Sequence, residues 1–530
     1  MKAIQPLLEA RPAFQKQLFR FGYLLTDAQL PAPDSFPFYG NYTDHALGRF
    51  TLRVHQDQRC ALCRRGDSLF ALVGSAVNPY SGEISEQAIL EKLADLGNLC
   101  EEASLPYLNE LTGSFLILQL REGRLRFVCD PAGMLFGCYG QLGGKLYLSS
   151  HSQLIADLVP LTKSAYIKRL EGYRFFYKYG LFFPGDLTQY RELTRILQNH
   201  VTEYDGQRFQ LRRFYPTREL LPVRGEAEYR ALLEEVTRVL RDTLACYAKK
   251  YRHPAISLTG GMDSKTTLAC SRGLERSFDY YSYITMAGDE IDANAAHEIA
   301  SHLGIPHRIH RVSEKDGDFR DIETVRAILE HNNGGYRVNP NDVRKRAYFD
   351  AFCRSPEGFD AEVKSWISEI ARANYYKKFG LKKLPRQLSP GNMSSMYKIF
   401  LWQRRLARQT SRVFADFIEK TGFHKLPAGY DESDFYLWEF RYSAWGGIVI
   451  TAEHSYSNEI LIPYNNRRLL DRMLQAPLDK RISDEFHEDL IRTADPRVAE
   501  PGITVTNWNE TKNRMRVERL YFIVNSRLPF

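Results

Sequence analysis

The sequence lacks the long apolar runs and the dense cysteine pattern of a membrane protein or a disulfide-linked fold. No stretch approaches the roughly 20 apolar residues that cross a bilayer, and the first residues lack a signal peptide's apolar core. The 8 cysteines among 530 residues are scattered, which is typical of reduced thiols. We therefore expect a cytoplasmic protein.

Two short motifs that would identify a cofactor are incomplete or missing. Cys60 and Cys63 form a C-x-x-C pair, but a structural zinc site needs a second pair, which Cys100, Cys129 and Cys138 do not supply. Buried or incidental thiols are therefore expected. The lysine-bearing G-x-x-x-x-G-K-[ST] loop of P-loop enzymes is also absent.

Acidic residues are missing between Ile370 and Ala415, whereas this segment holds eleven cations. Because the whole chain has a net charge of +8, the remainder has a net charge of −3. The local excess predicts an acidic or polyanionic partner, with a solvated helical face as the alternative. The cations are Arg372, Lys377, Lys378, Lys382, Lys383, Arg386, Lys398, Arg404, Arg405, Arg408 and Arg412.

A chain of 530 residues is too long for one compact domain, and its patterning changes near the middle. From residue 21 to about 155, short β-like runs alternate with turn clusters around one helix, Glu86 to Leu96, which predicts a mostly antiparallel sheet domain. Beyond residue 223, strands and helices alternate, which predicts a parallel, doubly wound sheet with ligands beyond the carboxyl ends of its strands. The predicted domains are residues 1–215 and 223–530, joined by a connector.

The segment from Ser257 to Lys265 reads SLTGGMDSK and is the most informative stretch of the chain. Apolar residues precede it and a helix-forming run follows it, which predicts a strand, a tight glycine turn and a helix start. Gly260 and Gly261 allow the backbone to approach a ligand, and the helix N-terminus offers N–H groups to an anion. The pattern predicts a phosphate-binding loop, the alternative being an ordinary Gly-Gly turn with a helix cap.

Three side chains of this loop fit the same chemistry. Thr259 and Ser264 add hydroxyl donors. Asp263 would lie beside the phosphates, where a carboxylate is tolerable mainly if it holds a Mg²⁺ ion that offsets the charge. We therefore predict a phosphate ligand that binds together with Mg²⁺.

The loop resembles the S-G-G-x-D-S loop of ATP pyrophosphatases, which cleave ATP between its α and β phosphates. Other fragments resemble asparagine synthetase-like proteins, in which the synthetase domain follows a glutaminase domain. This resemblance implies Ntn-hydrolase-like antiparallel sheets in an α+β N-terminal domain, then an α/β ATP-pyrophosphatase domain with a helical C-terminal part. The fragments are Gly74 with Asn78, Leu111 to Phe115, Asp130 to Gly133, Asp292 with Ala296, and Gly304 to His307.

The resemblance does not extend to glutamine hydrolysis. A glutaminase of that class uses a cysteine at its mature N-terminus, whereas this chain begins Met1-Lys2-Ala3 and its first cysteine is Cys60. We therefore expect a degenerate scaffold domain. That arrangement is similar to β-lactam synthetases and lasso-peptide cyclases, which form amides from amines within the substrate itself.

The resemblance also implies a second loop, within Glu362 to Tyr375, in the place of the family's S-G-x-G-x-D-E-x-x-G-G-Y but without its glycines. Glu369 takes the place of the aspartate and would share Mg²⁺ with Asp263, while Lys364 and Arg372 would stabilise charge on the leaving group. The predicted ATP and pyrophosphate contacts are Ser257, Thr259, Gly260, Gly261, Met262, Asp263, Ser264, Met286, Lys364 and Arg372.

Glu459 is the candidate base, because it lies in a segment that resembles E-x-R-x-P-F-x-D, and β-lactam synthetases pair a glutamate at that place with a tyrosine. Lys512, the only lysine after Lys480, is the candidate for the late lysine that those enzymes use at the acyl centre. Tyr442 is the candidate partner of Glu459, and three alternatives remain open: Tyr430, Tyr436 and Tyr456.

These features predict an ATP-dependent, AMP-forming ligase that adenylates a carboxylate and condenses it with an amine, in natural-product or peptide biosynthesis. Intramolecular cyclisation and free ammonia as the amine both stay open, as does the oligomeric state, including a homodimer. Two alternatives remain. An adenylating enzyme that acts on RNA would suit the cations of the acid-free segment, and the altered second loop would suit a non-catalytic nucleotide-binding scaffold.

Overall fold

The computed structural model describes residues 4–176, 182–503, 505 and 512–526. The strands are β1 (Tyr23–Thr26), β2 (Tyr42–Leu47), β3 (Phe50–His55), β4 (Cys60–Arg65), β5 (Ser68–Val77), β6 (Thr112–Arg121), β7 (Arg124–Cys129), β8 (Cys138–Leu142), β9 (Lys145–Ser149), β10 (Thr194–Arg195), β11 (His200–Tyr204), β12 (Phe209–Arg213), β13 (Pro254–Ser257), β14 (Asp279–Ile284), β15 (His307–Arg311), β16 (Ala361–Val363) and β17 (Glu459–Leu461).

The helices cover the sheets and make up most of the C-terminal part. They are α1 (Ile4–Glu9), α2 (Glu86–Asp95), α3 (Leu105–Glu110), α4 (Ser152–Leu158), α5 (Ala165–Glu171), α6 (Gly225–Lys250), α7 (Met262–Cys270), α8 (Asp289–His302), α9 (Ile322–Asn332), α10 (Pro340–Cys353), α11 (Asn374–Phe379), α12 (Pro390–Tyr397), α13 (Arg404–Thr421), α14 (Glu432–Phe435), α15 (Gly447–Ala452), α16 (Arg467–Leu474), α17 (Leu478–Ser483), α18 (Glu485–Ala494) and α19 (Lys512–Asn525). A π-helical stretch, Tyr436–Gly446, precedes α15.

The first half contains two six-stranded sheets, in the orders β10-β8-β9-β1-β3-β2 and β12-β11-β7-β6-β5-β4, with antiparallel pairing throughout. Strand side chains alternate between faces, so Ala71 and Val73 of β5 pack into the core between the sheets, while Phe70 and Leu72 contribute to a second core that includes α2. Helices α1, α4 and α9 cover the outer face of the other sheet. The predicted antiparallel sheets are confirmed, and they lie in layers of helix, sheet, sheet and helix.

The two cysteines of the C-x-x-C pair lie on β4 and belong to different cores. Cys60 packs against the core between the sheets and Cys63 against the core on the outer face, as their odd spacing on a strand requires. Neither forms a disulfide. The expectation of incidental thiols is therefore consistent with their positions.

The second half is built on a five-stranded parallel sheet in the order β15-β14-β13-β16-β17. Strand β13 lies at the centre, paired with β14 and β16, and α7 and α8 connect β13 to β14 and β14 to β15. This confirms the predicted parallel sheet, and the strand order reverses direction at β13. Ligands in such sheets bind beyond the carboxyl ends of the strands at that reversal.

The segment after β17 joins the two halves. The Asn465 side-chain amide donates to the buried Asp130 carboxylate at 2.7 Å and to the Gly113 carbonyl at 2.6 Å. The buried Arg467 guanidinium donates to the Asn199 side chain at 2.8 Å. One apolar core continues from the outer face of the β5 sheet into the parallel sheet. Within the described residues, no helix is both long and apolar enough to span a bilayer.

We expect a buried ion pair between the first half and the π-helical stretch of the second half to stabilise the fold. The Arg213 guanidinium donates to both Glu439 carboxylate oxygens, at 2.6 and 2.9 Å, and the Glu439 side chain is only 2% exposed. Arg213→Met leaves that carboxylate buried without its cation, which should lower the free energy of unfolding by about 3 kcal/mol. The measurement is the urea transition midpoint.

The matched control is Arg65→Met, which removes an exposed pair with Asp95 whose side chains are 44% and 57% exposed. Exposed pairs contribute at most about 1 kcal/mol. Equal shifts for the two variants would show that the joint does not depend on the buried pair.

Candidate active site

The predicted phosphate loop connects the central strand to a helix N-terminus. Strand β13 ends at Ser257 and α7 begins at Met262, with Gly261 as its N-cap. Inside the loop, the Thr259 N–H donates to Ser264 Oγ at 2.9 Å and the Gly261 N–H donates to Thr259 Oγ1 at 3.2 Å. Because both hydroxyls accept within the loop, their own hydrogens remain for an external acceptor. The predicted strand, turn and helix start are confirmed.

The two glycines of the loop have different environments. A Cβ on Gly260 would lie 2.2 Å from Val505 Cγ2 and 2.8 Å from Ala295 Cβ, so the protein itself fills the space there. Burial raises the pKa of the nearby Asp292 carboxyl, and the Gly260 backbone opposes part of this rise. A Cβ on Gly261 would meet only Thr259 Oγ1, at 3.2 Å. Close approach of a ligand is therefore available at Gly261 rather than at Gly260.

Asp263, in the first turn of α7, is held by the second predicted loop. The Ser368 hydroxyl donates to one carboxylate oxygen, and Arg372 Nη1 donates to the other at 2.6 Å. The same guanidinium donates to both Asp484 oxygens, at 2.8 and 3.0 Å. His487 is fully buried with Nε2 3.9 Å from Asp263, and burial lowers its pKa to about 4.

Glu369 lies beside Asp263, as the predicted metal pair requires. Burial and the Asp263 charge together raise the pKa of Glu369 to about 7. The Tyr442 hydroxyl donates to the Glu369 carboxylate, and burial followed by the Glu369 charge raises the pKa of Tyr442. Tyr442 is therefore the partner of Glu369 and not of Glu459.

The chemistry of this pair fits Mg²⁺. The described residues contain no cluster of three or more His, Cys, Asp or Glu side chains arranged for a metal. Mg²⁺, however, is commonly held by one or two carboxylates together with water and substrate phosphates. Each oxygen of Asp263 makes one hydrogen bond to protein, and a carboxylate oxygen has a second lone-pair direction. Asp263 and Glu369 would thus hold the ion jointly with a phosphate.

The second loop keeps a backbone that favours glycine although it contains none. Ile367 has φ 81° and Ala373 has φ 47°, at the two ends of the turn that carries Ser368, Glu369 and Arg372. Left-handed φ costs a non-glycine residue roughly 1–3 kcal/mol and occurs most often where function requires it. In the alignment on Tyr375, both positions coincide with glycines of the family loop. Both residues thus hold a conformation that glycine adopts freely.

Lys364 follows β16 and is buried against Glu362, with which it forms an ion pair. Tyr281 also hydrogen-bonds to Glu362, and Lys364 and Arg346 hold the pKa of that carboxyl below its usual value despite burial. Ser257 Oγ, another predicted ATP contact, donates to the Val363 carbonyl at 3.2 Å. Both residues thus lie at the carboxyl edge of the sheet but already have protein partners.

A cavity of about 930 Å³ opens beside this cluster, beyond Tyr283 of β14 and Lys364 of β16. Its wall contains Trp366 and Trp445, stacked with centroids 5.1 Å apart and planes at 17°. The other charged lining residues are mostly cations: Arg337, Lys345, Lys378, Arg441 and Arg514, against Asp342 and Glu453. The cavity therefore suits an anionic ligand with a planar group.

Two segments connect this cavity to the carboxylate pair. In the first, Trp366 lines the cavity and Glu369, three residues on, belongs to the pair. In the second, Arg441 and Trp445 line the cavity while Tyr442 between them donates to Glu369. The π-helix that carries Arg441 and Tyr442 is a form often found at functional sites. The cavity and the carboxylate pair are therefore connected through two chain segments, although no residue of the predicted phosphate loop lines the cavity.

Sequence reasoning missed Glu453 and His454, which also line this cavity. The Asn333 side-chain amide donates to Glu453 at 2.7 Å, and burial, with a smaller contribution from the Asp342 charge, raises the pKa of Glu453 to about 7. His454 is buried beside Trp366, and its Nδ1 has no hydrogen-bond partner among the described residues. No sequence motif contains either residue, because only the folding of α15, which directly precedes them, brings them to the cavity.

Glu459, the predicted base, lies at the opposite edge of the sheet. It begins β17 and pairs in register with Ala361, which pairs with Pro254, and both of these residues begin their strands. The Tyr251 hydroxyl donates to Glu459 at 2.8 Å, and Arg59 lies 3.7 Å away. Since strands of a parallel sheet share a direction, Glu459 faces the amino edge and Asp263 the carboxyl edge. The structure thus separates Glu459 from the predicted site.

Two further predicted residues lie at the margins. Met286 follows β14, is 49% exposed, and its Sδ accepts from the Asn341 amide at 3.7 Å, next to Pro340 on the cavity rim. Its exposure fits contact with a ligand. Lys512 begins α19, and its side chain lies outside the described residues.

Comparison with protein-family models and with curated protein sequences finds no match. Among solved structures, the chain is similar to "the allosteric regulatory enzyme of purine biosynthesis", with 12% identity and a TM-score of 0.24. It is also similar to glutamine phosphoribosylpyrophosphate amidotransferase from B. subtilis complexed with ADP and GMP, with 10% identity and a TM-score of 0.21. Each match covers 58% of this chain and 63% of the other, less than two thirds of it. TM-scores this low support no inference about the fold or the function of this chain.

The raised pKa of Glu453 predicts a pH-dependent stability. A carboxyl whose pKa rises from 4.5 to about 7 on folding favours the folded state below pH 4.5, and this contribution is lost as the pH rises through 7. Glu453→Gln keeps an acceptor for Asn333 but does not ionise. At pH 8 the variant should therefore be more stable than wild type by up to about 3 kcal/mol, with the difference vanishing near pH 4.5. Urea midpoints across this range test it, and a difference independent of pH would contradict it.

Proposed function

We propose that this protein is an ATP-dependent, AMP-forming ligase that joins a carboxylate to an amine. The observation that supports it most is that the Asp263 and Glu369 pair adjoins the phosphate loop and is connected through two chain segments to a cationic cavity at the carboxyl edge of the sheet. We further propose that the first half is a degenerate glutaminase-like scaffold and the second an ATP-pyrophosphatase-like domain. Natural-product or peptide biosynthesis is the proposed setting.

In this proposal, the first N–H groups of α7 bind the pyrophosphate part of ATP, assisted by the Thr259 and Ser264 hydroxyls. Mg²⁺ held by Asp263 and Glu369 would offset the phosphate charge when bound. Arg372, fixed between Asp263 and Asp484, adds positive charge where pyrophosphate departs. The substrate carboxylate attacks the α-phosphorus, the bond to the pyrophosphate oxygen breaks, and pyrophosphate leaves with that electron pair.

The second step is attack of the amine on the acyl carbon, with AMP as the leaving group. The amine must lose a proton, and we assign its acceptance to Glu453, because this carboxylate lines the cavity and its pKa of about 7 suits a general base. The Trp366 and Trp445 stack limits water around the activated acyl group. The cavity cations bind the substrate carboxylate before activation.

One observation favours a second candidate, a non-catalytic nucleotide-binding scaffold. Both oxygens of Asp263 already accept hydrogen bonds from Ser368 and Arg372, which is an arrangement that a purely structural role would also produce. The two candidates differ in the dependence of nucleotide binding on Mg²⁺ and in exchange of label between pyrophosphate and ATP.

Binding of α,β-methylene-ATP tests the site without a known substrate. By isothermal titration calorimetry, we expect Mg²⁺ to strengthen binding to wild type, and Asp263→Ala to lose that strengthening by at least about tenfold, as expected when a metal site is disrupted. Asp279→Asn is the matched control, because this exposed aspartate begins β14 at the amino edge of the same sheet.

Mg²⁺-independent binding to wild type, or equal effects of the two variants, would contradict the metal pair. Exchange of labelled pyrophosphate into ATP, measured with a peptide and metabolite extract, then separates the candidates. Wild type should show exchange and Asp263→Ala should not. Nucleotide binding without any exchange would favour the scaffold.

A further inference from the structure

The acid-free segment divides into two groups of cations with different environments. Arg372, Lys377 and Lys378 pair with carboxylates around the candidate site, and Lys398 is buried. The remaining seven are exposed: Lys382, Lys383 and Arg386 before α12, and Arg404, Arg405, Arg408 and Arg412 on α13. The phosphate chemistry proposed above therefore accounts for the first group only.

The four arginines of α13 form a stripe at an unfavourable place on the helix. Arg404, Arg408 and Arg412 are spaced four residues apart, so they share one face, and Arg405 lies beside the first. Like charges at this spacing repel one another, and the N-terminal turn is the positive end of the helix dipole. None of the four forms an ion pair within the described residues, and the first carboxylate of the helix is Asp416. Because these arginines do not stabilise their own helix, their presence calls for a different explanation.

An exposed tryptophan adjoins the start of the stripe. Trp402 is 95% exposed and Leu401 is 42% exposed, although indole side chains are normally well buried. Trp402 has φ 63°, a left-handed conformation that is costly for a bulky residue. The backbone is thus strained while the indole points into solvent.

Trp402 also borders a cavity of about 600 Å³ between α5 and α13. Its apolar lining includes Leu401, Leu406 and Phe175, and its rim carries Arg169 and Arg174. The space suits one apolar side chain of a partner, held between an indole and aliphatic groups, with cations on either side. It is a second site, lined by none of the residues of the candidate active site.

We propose that Trp402, this cavity and the arginine stripe form a docking surface for an acidic peptide segment that carries one apolar or aromatic anchor residue. The stripe from Arg404 to Arg412 is about 12 Å long at 1.5 Å per residue, which an extended peptide spans with about four residues. Clustered arginines recognise acidic motifs, and a buried aromatic anchor supplies affinity. Within the described ranges the stripe has no carboxylate partner of its own, so a glutamate-rich segment complements it.

Among the described residues, one exposed indole beside one open cavity favours a peptide over a nucleic acid. Single-stranded nucleic acids bind to successive aromatic platforms along a cationic groove. Here, in the part of the chain that the structure describes, the large exposed apolar side chains that line the cavity are Trp402 and Leu401, and a leucine cannot stack a base. The docking surface does not depend on the proposed ATP chemistry, so either can fail alone.

Fluorescence anisotropy of a labelled peptide with one phenylalanine between runs of glutamate tests this docking surface. We expect binding to the full-length protein that weakens steeply with NaCl. The combined Arg404→Glu, Arg408→Glu, Arg412→Glu variant should bind at least about tenfold more weakly, and Trp402→Ala about fivefold more weakly. Because the stripe opposes its helix, the triple variant should melt at the same temperature as wild type or higher.

The matched control is the combined Lys382→Glu, Lys383→Glu, Arg386→Glu variant, which makes the same charge change elsewhere in the acid-free segment. It should alter binding less than about twofold. Equal loss in the control, no binding to wild type, or loss that tracks a lower melting temperature would overturn the proposal. Tighter, stripe-dependent binding of labelled oligouridine would overturn it in favour of a nucleic-acid surface. Trp402→Ala keeps the test valid if the triple variant does not fold.

Discussion

The candidate site depends on one guanidinium, that of Arg372. It joins Asp263 at the start of α7 to Asp484 between α17 and α18, two segments far apart in the chain. Removal of Arg372 would leave Asp263 and Asp484 without the cation they share, beside Glu369, although Lys377 would still pair with Asp484. Negative charge on Glu369 is already unfavourable, because burial and the Asp263 charge raise the pKa of this carboxyl. A divalent cation at the pair would relieve that repulsion, so the cluster is poised to accept one.

The backbone supports the same arrangement at a cost. Ile367 and Ala373 hold left-handed φ values around the turn that presents Ser368, Glu369 and Arg372. A glycine would adopt these angles freely, whereas a buried isoleucine adopts them only when its packing compensates. This strain lies in the loop that aligns the carboxylate pair. Function offers a reason for a conformation that folding alone would not select.

Local features of the site could be predicted from the sequence, and long-range ones could not. The strand, glycine turn and helix around Gly260 and Asp263 follow from neighbouring residues, and the structure confirms them. The proximity of Glu369 to Asp263 came from a motif resemblance and is also found in the structure. Tyr442 could be named as a candidate from the sequence, but its partner Glu369 could not, because hydrogen bonding between distant segments leaves no periodic signal.

The position of Glu459 at the amino edge of the sheet could not be predicted, for a related reason. Its motif fixes a position in the chain, but β16 and β17 are three residues each, too short for any pattern to reveal which edge of the sheet a residue faces. Glu453, six residues earlier, lines the cavity instead. The antiparallel half was predictable in outline because its β-like runs are separated by clear turn clusters. The joint through Asn465 and Arg467 was not, since amide and guanidinium contacts depend on the assembled fold.

The central claim is that this site activates a carboxylate by adenylation. The most direct test is the fate of ATP labelled in its α-phosphate, incubated with the wild-type protein, Mg²⁺ and an extract of peptides and metabolites. The account predicts label in AMP, with release of one pyrophosphate for each AMP formed. Label in ADP with release of phosphate would contradict it, since cleavage would then fall between the β and γ phosphates.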